Sequence, residues 1–149
     1  MPKRSKARAL ALQIIFQLQI QSESFLKKID DFVKDAGLDA GLSRYGRELA
    51  LLAWENRSEA DKLIDKFAKD WTASSLPAVD RAILRLAICE MLHCPDVPAK
   101  VAIDEAIELA KTYSTEHSSK FINGLLDTVM KSSVECGKDA ILNNQAAEQ

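Results

Sequence analysis

Three apolar helical patterns follow one another between Pro77 and Asp127, separated by two breaks, the CPDVP turn at 94–98 and Ser114–Thr115. Proline has no amide hydrogen and its ring collides with the preceding turn, so Pro95 and Pro98 cannot lie inside a helix. The chain therefore has to turn there and fold one apolar face onto the next. Pro77 suits a first helical turn, with Ala78, Ile83, Leu86, Ala87 and Met91 on the inner side. Asp80 falls in that first turn, where a carboxylate complements the helix dipole. Arg81 and Arg85 lie one turn apart on the same side, as a solvated face or as a docking surface for an acidic partner. From 99 to 113, Val101, Ala102, Ile103, Ala106, Ile107, Leu109 and Ala110 nearly encircle the axis, which predicts a central, mostly buried helix. A last helix, from 116 or 117 to 132, turns Ile122, Leu125, Leu126, Val129 and Met130 inward. Gly124 sits near its opposite side at a cost of up to about 1 kcal/mol relative to alanine, so a close approach to its backbone is expected. Phe121 flanks the buried stripe and Lys120 lies outside it.

The N-terminal half reads as four further helices. In 3–22, steps of about 100° per residue gather Ala7, Leu10, Ala11, Ile14, Ile15 and Leu18 on one face. Phe16 falls almost opposite, with Gln13 and Ile20 beside it and Lys6 a little further round. Phe16 is then either a second apolar contact or an aromatic able to stack on an unpaired base. Residues 24–36 form the second helix, capped by Ser24 and closed by Gly37, with Phe25, Ile29, Phe32 and Val33 inward. LDAGL (38–42) reads as a loop. Ser43 caps the third helix, which ends near Trp54, with Tyr45, Leu49, Leu52 and Ala53 inward. Ser58 and Asp61 open the fourth, which uses Leu63, Ile64, Phe67 and Ala68 and ends near Trp71. From about 134 the chain loses periodicity and reads as a disordered tail.

Seven helices, five glycines and four prolines in 149 residues leave no room for a strand-rich sandwich; the predicted class is all-α, one domain over 1–133. No run of about 18 apolar residues offers a membrane span, and Gln13, Gln17, Gln19 and Gln21 interrupt any secretory apolar region. Cys89, Cys94 and Cys136 are odd in number and irregular in spacing, which fits a reducing compartment, the cytoplasm.

Charge is unevenly spread. Residues 1–22 hold Lys3, Arg4, Lys6 and Arg8 and no acid, so they carry +4 of a net −2 and leave −6 for the rest. A cationic end on an acidic body is a local footprint for a polyanion. Catalytic signatures are missing: the chain has neither GxxxxGK[ST] nor GxGxxG. Cys89 and His93 are one turn apart, but Cys94 points elsewhere and no second pair completes a metal site. His117 is a lone histidine, and Asp104, Glu105 and Glu108 read as a charged surface stripe. No cofactor is expected.

Four blocks in order, VDRAILRLA (79–87), DVP (96–98), VAIDEAIELAK (101–111) and KFINGLLD (120–127), with RALALQIIFQ (8–17) near the start, resemble the bacterial transcription antitermination factor NusB family over about residues 3–130. The resemblance implies two packed three-helix bundles and a non-enzymatic factor. Such a factor binds single-stranded boxA RNA, notably in ribosomal RNA operon transcripts, together with the ribosomal protein NusE, in an RNA polymerase complex with other Nus factors. Family RNA contacts carry over to Lys3, Arg4, Lys6, Arg8, Gln13, Phe16, Lys120 and Phe121, and this tilts Phe16 toward RNA. Asp80 and Arg85 are the corresponding candidates for the NusE side. Four interspersed charges stand where the family often has a denser arginine run, which implies a lower intrinsic RNA affinity. The free protein is expected as a monomer or homodimer. The rival readings are a protein–protein adaptor without RNA selectivity and a relative of the domain fused to ribosomal RNA cytosine methyltransferases.

Overall fold

The computed structural model describes residues 2–134, and among them all the regular structure is helical, with no strand. Seven α-helices run α1 (Pro2–Gln21), α2 (Ile29–Asp35), α3 (Ala40–Glu55), α4 (Arg57–Phe67), α5 (Ala78–His93), α6 (Ala99–Tyr113) and α7 (Glu116–Val129). Short 3₁₀ segments at Ser22–Lys28 and Ala73–Ser75 and a π-helical turn at Met130–Val134 complete the order. The expected tail, Cys136 included, lies outside the described residues.

One group of helices is formed by α1, α2 and α3, the other by α5, α6 and α7, while α4 leans on α5 and α7. The expected inner face of α1 is buried as predicted, and Leu12 joins it at 3% exposure. The central helix is α5 rather than α6. Ala82, Ile83, Leu84, Leu86, Ala87, Ile88, Cys89, Glu90 and Met91 are all buried, and α5 touches α1, α3, α4, α6 and α7. Val101 on α6 remains 38% exposed. The reason is chemical: the charged residues of α5 look like surface positions in a sequence but find internal partners, which frees the whole helix for burial.

Helix ends depart locally from expectation. Asp39, not Ser43, caps α3 by accepting the Leu42 amide at 2.9 Å, so residues 40–42 are helical rather than loop. Ser24 donates to the Gln21 carbonyl within a 3₁₀ turn instead of capping a helix. Ser58 lies inside α4, which follows Asn56 directly and stops at Phe67, four residues before Trp71. The break before α7 holds as expected, with Thr115 accepting the Ser118 amide. Gly37 closes α2 at φ +72°, the left-handed conformation that glycine tolerates.

The close approach assigned to Gly124 is absent, since a Cβ there meets nothing within 4 Å. It belongs to Gly46, where a Cβ would stand 2.7 Å from the Ala7 carbonyl oxygen and 3.1 Å from Leu10. That glycine lets α3 settle against α1. Gly46→Ala is therefore expected to lower the free energy of unfolding by about 1–3 kcal/mol, whereas Gly124→Ala raises it by up to about 1 kcal/mol. Urea denaturation of the two variants beside the parent protein checks both signs.

Candidate nucleic-acid interface

The basic end of α1 divides its charges between inside and outside. Lys6 is exposed, and Arg4 is half-exposed, its guanidinium 4.6 Å over the Tyr45 ring and 3.6 Å from Asp96. The Lys3 side chain lies outside the described set. Arg8 departs from the sequence expectation: it is 2% exposed and its Nε donates to both carboxylate oxygens of Glu90, at 2.8 and 3.0 Å. Glu105 on α6 stands 3.7 Å from the same guanidinium and also accepts the Ser5 hydroxyl. Tyr45 on α3 donates its hydroxyl to Glu90 at 2.6 Å. Burial works against the Arg8 charge, but the hydrogen bond and attraction of Glu90, helped by Tyr45 and Glu105, outweigh it and raise the guanidinium above its usual value. Burial and the bond to Glu90 push the Tyr45 phenol well above its usual 10. Arg8 is thus spent inside the protein, joining α1 to α5.

Further along α1, Phe16 is partly buried and lines an open groove of about 340 Å³ with Leu12, Gln13, Gln17, Phe32, Val79 and Tyr113. Exposed Gln13 donates to the Tyr113 hydroxyl at 3.4 Å. The wheel placed Phe16 off the core face, and the structure gives it a neighbour on each side without sealing it. Tyr113, 42% exposed, also lines a groove of about 350 Å³ with Lys6, Glu105 and Glu108. Phe121 contributes to a smaller recess of about 150 Å³ with Trp71, Leu76, Pro77, His117 and Ser118. Lys120 is exposed on α7 and lines neither groove.

The two aromatic grooves flank the start of α5, Val79 lining one and Asp80 the other. Asp80 is 3% exposed and accepts the Ser114 hydroxyl at 2.7 Å and the Ser118 hydroxyl at 2.9 Å. It fastens α5 to the turn between α6 and α7 instead of presenting a free carboxylate. Arg85 is also committed, with Nε and one terminal nitrogen on the Asp61 carboxylate at 2.9 and 2.7 Å and the other on Gln19 at 3.0 Å. Gln13 and Phe16 thus share one groove, Lys6 lines a second that shares Tyr113 with it, and Phe121 lies in a separate recess on the other flank of the start of α5. Tyr113, Trp71 and His117 line these grooves as well, and sequence reasoning missed their placement, whereas Tyr45 packs inward as expected. Only the tyrosine and tryptophan content hinted at it, because their positions depend on how distant helices meet. Among the described residues no group of three His, Cys, Asp or Glu side chains is placed to hold a metal. Burial raises the pKa of both the Cys89 and Cys94 thiols, keeping them protonated at neutral pH. No helix among the described residues is long and apolar enough to cross a membrane.

Exposed cations at one end, open aromatic grooves behind them and a helical scaffold define a class, the two-bundle all-helical binding module. The chain belongs to the NusB family, whose sequence model matches residues 5–131. It is 42% identical over 137 residues to the transcription antitermination protein NusB of Symbiobacterium thermophilum, covering 86% of this chain and 89% of that one. The Acetivibrio thermocellus protein of the same name is 43% identical, with coverage of 86% and 88%. Among solved structures, T. maritima NusB superposes with a TM-score of 0.76 at 35% identity, over 87% of this chain and 91% of that one. A structure of antitermination factors NusB and NusE in complex with dsRNA shares the fold at TM-score 0.79 and 23% identity, over 89% and 98%.

The buried ion pair and the phenol beside it make two measurable demands. Replacing Arg8 with Met strands the Glu90 charge and is expected to cost about 3–5 kcal/mol of stability, read from urea unfolding at neutral pH. Tyr45 stays protonated in the folded chain after it has ionised in the unfolded one, so its contribution is whole below pH 10 and is lost as pH rises beyond it. The urea midpoint should fall above that pH, and fall less steeply in Tyr45→Phe.

Proposed function

We propose that this chain is a transcription antitermination factor that binds boxA-type single-stranded RNA in nascent ribosomal RNA operon transcripts. It acts with the ribosomal protein NusE, within an RNA polymerase complex that includes other Nus factors. The observation that carries the reading is the groove holding exposed Lys6, which shares Tyr113 with the open Phe16 groove, while the Phe121 recess lies on the other flank of the start of α5. Family membership supports it, as does the existence of a protein of this fold solved with NusE and RNA.

In this reading Lys3, Arg4, Lys6 and Lys120 attract phosphates. Arg4 already sits over the Tyr45 ring, and a phosphate would compete with Asp96 for its guanidinium. Phe16 and Phe121 offer faces to splayed bases, and Gln13 offers an amide to a base edge. Arg8 acts indirectly, by fixing α1. Asp80 and Arg85 shape the NusE-facing side of α5 through the partners they hold rather than as free contacts. The acidic body discourages indiscriminate RNA binding, so the partner's added surface sharpens selection. Binding, not bond chemistry, is the activity.

A gel shift with boxA-like and scrambled RNA, with and without NusE, tests the proposal. The expected result is selectivity for the boxA sequence that strengthens with NusE; NusE binding with no RNA selectivity would leave only an adaptor. Neutralising three phosphates predicts a slope of log K against log salt near about −2, and a salt-independent affinity would sink the electrostatic account. Phe16→Ala should weaken RNA binding by about 1–3 kcal/mol in a protein whose helical circular dichroism is unchanged. Undiminished affinity in that variant would return Phe16 to a packing role.

A further inference from the structure

A second cationic site lies at the other end of α1, away from the basic N-terminus. Arg57 from the start of α4 and Arg81 and Arg85 from α5 converge on a cleft of about 310 Å³, which Gln19 of α1 and Trp54 of α3 also line. Three guanidiniums meet one carboxylate there, that of Asp61, so the lining carries a surplus of positive charge. Arg85 uses its nitrogens on Asp61 and Gln19 and is structural. The other two are not spent in this way. Arg57 gives one N–H to the Trp54 carbonyl at 2.6 Å and lies 3.8 Å over the Trp54 ring. Arg81 gives one, at 3.3 Å, to the Ala73 carbonyl. A guanidinium has five N–H donors in a fixed fork, and neither arginine is paired with a carboxylate among the described residues. The ring contact and the single carbonyl bond hold Arg57 in the cleft lining and leave N–H donors with no carboxylate partner, the inventory that suits a tetrahedral oxyanion.

We propose that this cleft binds a backbone phosphate of the same single-stranded RNA, extending the footprint along α1. The inference rests on the RNA-binding reading above. Position favours RNA over an acidic peptide. Phe16 and Gln19 are one turn apart on α1, and Gln19 both lines the cleft and donates to the Ala78 carbonyl beside Val79 of the Phe16 groove. From Lys6 to Gln19 the helix rises about 20 Å, so cations stand at both ends of the aromatic margin. A strand engaging Lys6 and Phe16 and continuing in the same direction meets Arg81 and Arg57 next.

The test uses the full chain and two labelled RNAs, a minimal boxA-type oligonucleotide and the same sequence lengthened by a few uridines at each end. Titrations over a range of salt are made with the parent and with Arg57→Gln/Arg81→Gln; Arg85 is left alone because it ties α5 to α4. The parent should bind the longer RNA more tightly, with a salt slope steeper by about 0.7 per added phosphate. The double variant should lose that gain and that added slope while binding the minimal RNA as the parent does. Equal gains in parent and variant would overturn the cleft assignment and leave the RNA reading standing. Failure of the parent to bind either RNA would overturn both. A glutamate-rich peptide that binds the parent but not the variant, with RNA titrations unaltered, would give the cleft to a protein partner and overturn the proposal.

Discussion

The bond between Arg8 and Glu90 is the contact on which the arrangement of this molecule most depends. It joins the first helix to the central one at a point where both are sealed from water, and an ion pair in such a place holds only if each charge is fully partnered. Tyr45 and Glu105 complete the partnership from α3 and α6, so four helices meet at one guanidinium. Apolar packing would permit α1 to slide or rotate by small amounts. The fork of Arg8 does not. The angular position of Phe16, Gln13 and Lys6 around the α1 axis is set by that constraint, which lies within about two and a quarter turns of each of them.

The same logic explains which parts of the fold were legible from residue pattern. Apolar periodicity located α1, α5, α6 and α7 with small errors, because those stripes are long and each is buried on one side at least. It misjudged which helix is central. Arg85 reads as part of a solvated or docking face, Asp80 as a helix-dipole carboxylate, and Glu90 has no signal of its own, whereas each is met by partners 24 to 82 residues away in sequence. Long-range pairing of this kind leaves no local trace. Caps failed for a related reason: Ser24, Ser43 and Ser58 are plausible caps by type, but the residue that caps is decided by where the preceding loop arrives, as Asp39 illustrates.

For the surface, sequence reasoning nominated Phe16, Gln13, Lys6 and Phe121 by combining the wheel with family resemblance, and the structure puts Gln13 and Phe16 in one groove, Lys6 in a second that shares Tyr113, and Phe121 in a separate recess. It encloses Arg8, which the charge count and the family resemblance both placed among the available cations. The glycine argument shows the same limit from another side. The cost of a mid-helix glycine is visible in any sequence, but whether a neighbour justifies it is not, and the justified one is Gly46 rather than Gly124.

Asp80 carries one more consequence. Its carboxylate holds the hydroxyls of Ser114 and Ser118 at the junction of α5 with the α6–α7 turn, between the Phe16 groove and the Phe121 recess. A single side chain therefore sets the separation of the two aromatic stations. With that spacing locked, the surface in its proposed role would work as a ruler. A flexible polymer laid across it would be sorted by whether its own repeat places groups at both stations at once, a measurement of length made before any individual group is read.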